Sequence, residues 1–283
     1  TSNKTEIFVK GFAGAVILQL SSICFADMAV RTLQQRVTVK PGESKHFSVR
    51  VSNNYRGQST KSCIISLEKV SFSVNSEGKI LFSKNPVERS AVDFLEVEDS
   101  KFVLEPGEEK DIQIRVTSPM NADGDYWAAL MFSIDNGKRS SEGVNVKLRT
   151  ASGVFIHVAK RNYMERGNVL DTGVTFPKFD NPDSSGPEGF IEIEAELENT
   201  GLIGFKPSSR AVLYTSDYKR TGHVEMFTKR TRILPGDTRK YRGTMSQPLE
   251  AGDYRGKVFF DTGAGRTIVK DFVFSIGEDL AGR

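Results

Sequence analysis

Hydrophobic and polar residues alternate along most of this 283-residue chain, starting at Arg36. Segments such as HFSVRVSNN, KDIQIRVTS and GFIEIEAELENTG place every second side chain on the same face of an extended strand. Turn signals such as Pro-Gly, Asn-Asn and Asp-Asn-Gly separate these segments. A period of two predicts antiparallel sheets with one buried face, and no stretch after Asp27 has a helical period. The predicted fold class is therefore all-β.

One stretch of the sequence occurs twice. Residues 106–132 align with residues 235–260, and in both copies a Pro-Gly-acidic turn precedes an alternating strand. A second proline follows at equal spacing (Pro119, Pro248), and Gly-Asp-Tyr opens the next strand. A repeat of this size indicates one folding unit made twice. We predict two immunoglobulin-like antiparallel β-sandwich domains of about seven to nine strands each. Their predicted bounds are 27–162 and 163–277, after a signal segment (1–26) and before a loose tail (278–283).

The Gly-Asp-Tyr triplets predict a tyrosine corner in each domain. Tyr126 and Tyr254 lie where a sandwich buries a tyrosine ring and returns its hydroxyl to a backbone group a few residues upstream. Trp127 follows Tyr126 and therefore points to the opposite face of the strand. It is either a surface aromatic for a ligand or a side chain partly buried under a loop, and partial burial is the commoner state of tryptophan.

The N-terminal segment has the features of an export signal. Lys4 and Lys10 precede the apolar run GFAGAVILQLSSICFA, which is shorter than the roughly 20 residues of a membrane span. We expect cleavage before Asp27, after the small residue Ala26. Two alternatives are a lipid anchor on Cys24 and an uncleaved segment, which would be the protein's sole link to a membrane. All three predict a protein of the periplasm or the cell surface.

Charge and cysteine content narrow the classes of partner. The formal net charge is only +3, whereas nucleic-acid binding normally shows a strong basic excess, so nucleic acid is not expected. After cleavage one cysteine, Cys63, would remain, and no disulfide could form within the chain. Cys63 lies in the alternating segment CIISLEKVSF and is expected to be a buried strand residue.

Two Asp-Thr-Gly triplets resemble the signature of aspartic proteases. They start at Asp171 and Asp261, too close together for two protease lobes. Asp261 also occupies a position where the first copy of the repeat has the turn IDNG, so a hairpin turn is expected there. We predict no catalytic residues.

Metal and cofactor sites are not expected either. His46, His157 and His223 are scattered and have no neighbours at metal-ligand spacing. The sequence has no glycine-rich phosphate loop and no nucleophile elbow. The sequence therefore predicts no metal, no cofactor and no enzymatic activity.

Basic residues cluster in the second half of the chain. On adjacent strands they would form a patch for an anionic polysaccharide, or else a solvated sheet face or a guarded edge strand. The cluster consists of Lys229, Arg230, Arg232, Arg239, Lys240 and Arg242, with Tyr241 between them.

Three stretches carry a resemblance to a known family. RVTVKPGESKHFSVRVSNN, FVLEPGEEKDIQIRV and VKLRTASGVFIHVAKR resemble the periplasmic pilus-assembly chaperones of the chaperone–usher pathway. The resemblance covers most of residues 30–160, and the second half looks more like the immunoglobulin-like modules of bacterial surface proteins. It implies two immunoglobulin-like domains and a pilin-like or surface-assembled protein subunit as partner.

The resemblance also implies a set of partner-binding residues. In such chaperones the last strand of the first domain lends alternating apolar residues to an incomplete pilin fold. An arginine on the first strand and a lysine on the last hold the pilin's C-terminal carboxylate. Arg36 matches the arginine, and Phe155 occupies the position of the lysine, which Lys147 or Arg149 could replace. The matching apolar residues are Val154, Ile156 and Val158.

Physical chemistry allows this mechanism independently. A terminal strand of a sandwich leaves backbone donors and acceptors unpaired on one side, and an incoming strand satisfies them. The alternative for Val154, Ile156 and Val158 is ordinary core packing. We therefore expect an exported, non-enzymatic protein that binds another polypeptide by β-strand complementation. The alternative function is a cell-surface adhesion or polysaccharide-binding module.

Overall fold

The computed structural model describes residues 28–53, 61–134, 148–176, 191–245, 247, 249–263 and 265–277. Several predicted features lie outside these residues. They are the signal segment with its cleavage site, Lys147, Pro248 and the tail 278–283.

Within the described residues, the first domain has ten strands in two sheets. One sheet has the order β1-β3-β8-β6, and the other has the order β2-β10-β9-β4-β5 with β7 also paired to β4. A 3-10 turn, Val92–Phe94, precedes β6. The strands are β1 (Ala29–Arg31), β2 (Gln34–Val39), β3 (Ser44–Ser52), β4 (Cys63–Val74), β5 (Ile80–Ser83), β6 (Leu95–Val97), β7 (Lys101–Leu104), β8 (Glu109–Thr117), β9 (Gly124–Ile134) and β10 (Leu148–Val158).

The described part of the second domain has seven strands, again in two sheets. Their orders are β11-β12-β15 and β14-β13-β16-β17. The strands are β11 (Gly167–Thr175), β12 (Ile191–Asn199), β13 (Ser208–Thr215), β14 (Arg220–Met226), β15 (Thr238–Met245), β16 (Gly252–Asp261) and β17 (Thr267–Ile276). The chain is thus an all-β protein of two immunoglobulin-like sandwiches, as predicted. The exact boundary at residues 162 and 163 stays a prediction.

Alternation explains most of the strands, and its loss explains where one of them ends. In β12 every second residue is buried, and these residues face the core of the second domain. In the segment VEMFTKRTRIL the alternation stops after the first three residues, and β14 ends at Met226. Phe227 is exposed, and residues 228–232 offer no apolar side chain to a buried face. The strand therefore gives way to a loop.

One ladder departs from the predicted antiparallel pattern. β10 pairs with β9 antiparallel along its whole length, and β2 pairs with it in parallel from Gly153 to Val158. β2 reaches this sheet because the chain turns at Thr32, whose φ of 71° is left-handed. The predicted free edge of β10 is therefore shorter than a whole strand. Among the described residues it comprises residues 148–152.

The sequence repeat forms the same corner in both domains. Gly107 and Gly236 adopt φ angles of 81° and 79° at the Pro-Gly turns, and their N–H groups donate to Asn53 O and Asn199 O at 3.0 and 2.9 Å. Both asparagine side chains are buried and donate to a carbonyl two residues before the turn's proline. The structural repeat therefore extends back to these asparagines, beyond the aligned residues.

Both predicted tyrosine corners are confirmed. The backbone N–H of Asp123 donates to the Tyr126 hydroxyl at 3.3 Å. The Tyr254 hydroxyl donates to Glu250 O at 2.9 Å, four residues upstream. Each hydroxyl thus ties its strand to the loop that precedes it.

Removing one of these hydroxyls tests its contribution to stability. Tyr254→Phe is expected to lower the free energy of unfolding by about 1 kcal/mol, because Glu250 O loses its partner. Tyr218→Phe is the control, since that ring is 66% exposed. Urea unfolding followed by circular dichroism measures both variants. Equal midpoints for the two variants would contradict the corner's role.

Candidate functional site

The two domains share a small buried cluster. Trp127 is only 4% exposed and packs in one cluster with Phe72, Ala129 and Leu234, the last of which comes from the second domain. The indole Nε1–H donates to Phe72 O at 2.8 Å. Trp127 is thus a buried side chain and not a surface aromatic, and its burial is more complete than the partial burial predicted. Its role is to support the domain interface.

Asp125 is the main polar contact between the domains. It comes from the first Gly-Asp-Tyr triplet, and its side chain is only 12% exposed. One carboxylate oxygen lies 2.7 Å from Nδ1 of His157. The other accepts from Gly204 N at 2.8 Å and from Arg232 Nη2 at 2.9 Å. Two separate segments of the second domain are therefore held by one carboxylate of the first.

The turn between β4 and β5 makes a second polar contact with the other domain. Lys240 N donates to Ser76 O at 2.9 Å, and both Nη atoms of Arg242 donate to the Glu77 carboxylate at 2.8 Å. The hydrogen bond from Arg242 lowers the pKa of Glu77. The first domain thus docks on β15 through backbone and charged groups together.

Contacts within the protein involve three residues of the predicted basic patch. Arg239 is fully buried, and Lys240 pairs with Glu194 at 2.8 Å. Arg242 pairs with Glu77 and also with Glu194, at 2.7 Å. These three cations are thus already used within the protein. The geometry does not favour the anionic-polysaccharide interpretation of the patch.

Arg239 and Asp237 form a poorly paired charged group at this interface. The Nη2–Oδ2 distance is 3.8 Å, and neither of these atoms has a hydrogen-bond partner among the described residues. Burial raises the pKa of Asp237 to about 6. The ionised carboxylate is thus disfavoured in the folded protein.

A cleft of about 420 Å³ lies between the domains. Its floor is the outer face of the β2-β10-β9-β4-β5 sheet and carries apolar side chains such as Phe72, Phe82 and Phe155. The loop after β14, together with Lys206, forms the wall that faces this floor. The cleft thus combines an apolar surface of the first domain with a basic surface of the second.

Phe155 and Arg36 form one side of the cleft. They are directly paired in the β2–β10 ladder, and the Arg36 guanidinium lies 5.8 Å from the centre of the Phe155 ring. The ring packs edge-on to Phe72 at 6.1 Å. Gly153 leaves space for it, since a Cβ there would lie 3.1 Å from the ring. The aromatic ring therefore supports the arginine at the rim of the cleft.

The other predicted partner-binding residues lie elsewhere. Val154, Ile156 and Val158 are at most 1% exposed and belong to the core of the first domain, which corresponds to the core-packing alternative. They cannot touch a partner in this arrangement, because alternation turns the opposite face of β10 toward the cleft. Arg149 is exposed but does not line the cleft.

The two Asp-Thr-Gly triplets do not converge. Asp171 lies on β11 and its carboxylate accepts from Thr172 N at 2.8 Å. Asp261 lies at the β16–β17 hairpin in another sheet and accepts from Gly263 N at 2.9 Å, as expected of a turn.

The remaining candidate residues have structural or solvent-facing positions. His46 and His223 are exposed on β3 and β14, whereas His157 contacts Asp125. Across the described ranges, no three His, Cys, Asp or Glu side chains are arranged to hold a metal. Cys63 is a buried strand residue, as predicted, and burial raises the pKa of its thiol. No helix within the described residues is long and apolar enough to cross a membrane.

Comparison with known proteins yields distant structural similarity only. No family model matches the chain, and no curated protein matches it. The class 5 fimbrial chaperone CfaA aligns with 87% of this chain and 98% of its own, at 11% identity and a TM-score of 0.46. A chain of the CsuC–CsuE chaperone–tip subunit complex of Acinetobacter baumannii aligns over 87% and 98%, at 13% identity and a TM-score of 0.43.

A third similar structure is a chain from the SafB chaperone–SafA pilin complex of Salmonella enterica. It aligns over 89% of this chain and 97% of its own, at 12% identity and a TM-score of 0.42. These proteins belong to the group that the sequence resembles. At such scores the alignments carry no argument about function, and the fold assignment rests on the strand order described above.

Asp125 and Asp253 allow a matched test of the domain interface. Both follow the glycine of a Gly-Asp-Tyr triplet, but Asp253 is exposed and its carboxylate accepts from the Ser275 hydroxyl within its own domain. Asp125→Asn is expected to lower the free energy of unfolding by about 1.5–3 kcal/mol, because it weakens charge-assisted bonds between the domains. Asp253→Asn is expected to change it by less than about 0.5 kcal/mol. Equal losses in urea unfolding would contradict the interface role of Asp125.

The raised pKa of Asp237 predicts that the free energy of unfolding depends on pH. Its folded-state pKa is raised above the ordinary value of 3.8, so the folded protein binds this proton more tightly than the unfolded chain does. The stability that Asp237 contributes is therefore present below about pH 4 and lost as the pH rises through about 6. The unfolding free energy of wild type minus that of Asp237→Asn should fall over this window. A difference that does not change with pH would contradict the raised pKa.

Proposed function

We propose that this protein is an exported, chaperone-like binding protein that takes up a strand of another polypeptide. The strand would bind by β-complementation at residues 148–152 of β10. One observation carries the proposal: the β10–β9 ladder extends to Leu148, whereas the β10–β2 ladder stops at Gly153. The resemblance to pilus-assembly chaperones agrees with this function.

Residues 148–152 have backbone groups that can pair with an incoming strand. Gly153 N–H donates to Leu33 O on the β2 side at 2.9 Å. Because successive residues of a strand point their backbone groups to opposite sides, the N–H and C=O of Ala151 point to the same side as those of Gly153. No backbone pairing is present on that side of Ala151 among the described residues. An incoming strand would satisfy both groups.

The apolar floor of the cleft lies on the face next to this edge. Ala151 and Phe155 point to it from β10, and Phe82 at its far side is about half exposed. A strand added beside β10 continues the sheet, so every second side chain of it faces the same way as Ala151. An extended segment with alternating apolar residues therefore fits this position.

The predicted site residues take different parts in this function. Arg36 lies at the rim of the cleft and Arg149 lies on the open stretch, so both remain proposed partner contacts. Val154, Ile156 and Val158 are proposed to act indirectly, since their packing holds β10 in place against the core.

A proline at the open edge tests the proposal. Ala151→Pro removes the N–H that faces the open side and leaves the bonds to β9 in place, because those use the flanking residues. It is expected to weaken binding of a short fluorescent peptide with alternating threonine and valine by at least about tenfold. Ala151→Ser keeps the N–H and serves as the matched control. Fluorescence anisotropy measures both affinities, after circular dichroism has shown that both variants fold.

Two outcomes would overturn this function. One is wild-type affinity in a folded Ala151→Pro variant. The other is an absence of peptide binding by the wild-type protein.

A further inference from the structure

β17 (Thr267–Ile276) is an edge strand along its whole length. Its sheet has the order β14-β13-β16-β17, and every residue of β17 pairs with β16 on one side. In the first domain, β2 leaves the sheet of β1 and closes part of the edge of β10. β11 makes no such change, because it pairs with β12 in the other sheet of its sandwich. Among the described residues, no strand therefore pairs with the outer side of β17.

Every second residue of β17 points its backbone N–H and C=O to this open side. Thr262 N donates to Arg266 O at 3.1 Å in the turn before the strand, so Arg266 and the even-numbered residues after it point to β16. The ring of Phe272 lies over Gly256 of β16, where a Cβ would overlap it, and so leaves the edge uncovered. The odd-numbered residues, which point outward, are Thr267, Val269, Asp271, Val273 and Ser275.

The side chains of β17 are complementary to a second copy of the same strand. An antiparallel pair of identical strands has a twofold axis, and only an axis at Asp271 pairs all the outward residues of both strands. This register puts Val269 beside Val273 of the second copy, and the reverse. These two side chains are 47% and 75% exposed and lie on the same face of the sheet. The pairing would therefore bury apolar surface that a single chain leaves in water.

The charges of β17 also match a second copy. Asp271 would lie beside its own copy at the axis, and each of these carboxylates pairs with Lys257 of β16 at 3.2 Å. Two lysines thus flank two aspartates, and the four charges sum to zero. Lys270 points to the opposite face and would lie beside Phe272 of the second copy, where its aliphatic stem can cover part of the ring. A partner that carries charges of only one sign would not match this arrangement.

We propose that two copies of this protein form a dimer by antiparallel pairing of their β17 strands. The two four-stranded sheets would then form one continuous sheet of eight strands. Both copies use the same edge, so the pairing is isologous and closes at two copies. This inference goes beyond the proposed function, because it uses the second domain and does not involve residues 148–152 of β10.

Sedimentation velocity over a range of protein concentrations tests the dimer, which wild type is expected to form reversibly as the concentration rises. Asp271→Pro removes the N–H at the axis from both strands and leaves the bonds to β16, because those use the flanking residues. It is expected to raise the dimer dissociation constant at least about tenfold. Asp271→Asn keeps the N–H and is the matched control, which should stay within about threefold of wild type. Circular dichroism shows beforehand that both variants fold.

Several results would overturn the dimer. One is a wild-type protein that stays monomeric at every concentration, and another is the same dissociation constant for folded Asp271→Pro and for Asp271→Asn. Ala151→Pro should dimerise like wild type, so a loss of the dimer in that variant would place self-association at β10 instead. A monomer whose β17 amides are protected by the alternating threonine–valine peptide would show that a foreign strand, and not a second copy, occupies this edge.

Discussion

The structure depends on the point where the chain leaves one sheet of the first domain for the other. The left-handed turn at Thr32 places β1 in one sheet and β2 in the opposite one. β2 then closes the edge of β10 from Gly153 onward and leaves the preceding residues open. The same step brings Arg36 beside Phe155 at the rim of the cleft. The turn at Thr32 thus determines which part of the β10 edge is open and where that open part ends. It also determines the position of Arg36, the cation beside it.

The second constraint is the docking of the domains, which turns an exposed sheet face into a cleft. The two copies of the repeat differ at this interface. Asp125 binds His157, Gly204 and Arg232, whereas Asp253 at the same position of the other copy remains on the surface. The corner geometry that both copies share thus stabilises each sandwich. The contacts that Asp125 makes in the first copy help to join the two domains.

Local pattern was sufficient for most of the strands and for the tyrosine corners, because alternation and turn residues act over a few positions. It could not show that β2 pairs in parallel with β10, since pairing depends on distant residues. Alternation also does not say which face of β10 is the core, so it leaves both core packing and partner contact open for Val154, Ile156 and Val158. The basic cluster looked free because Glu77, which pairs with Arg242, is far away in the sequence.

The most direct test of the central claim is amide hydrogen exchange along β10, measured for the free protein and with the alternating threonine–valine peptide bound. The amides of Thr150 and Ser152 point to β9 and should be protected in both states. Those of Arg149 and Ala151 point to the open side and should become protected only in the complex. Equal exchange of all four amides in both states, or new protection confined to another edge such as β17, would contradict strand addition at this site.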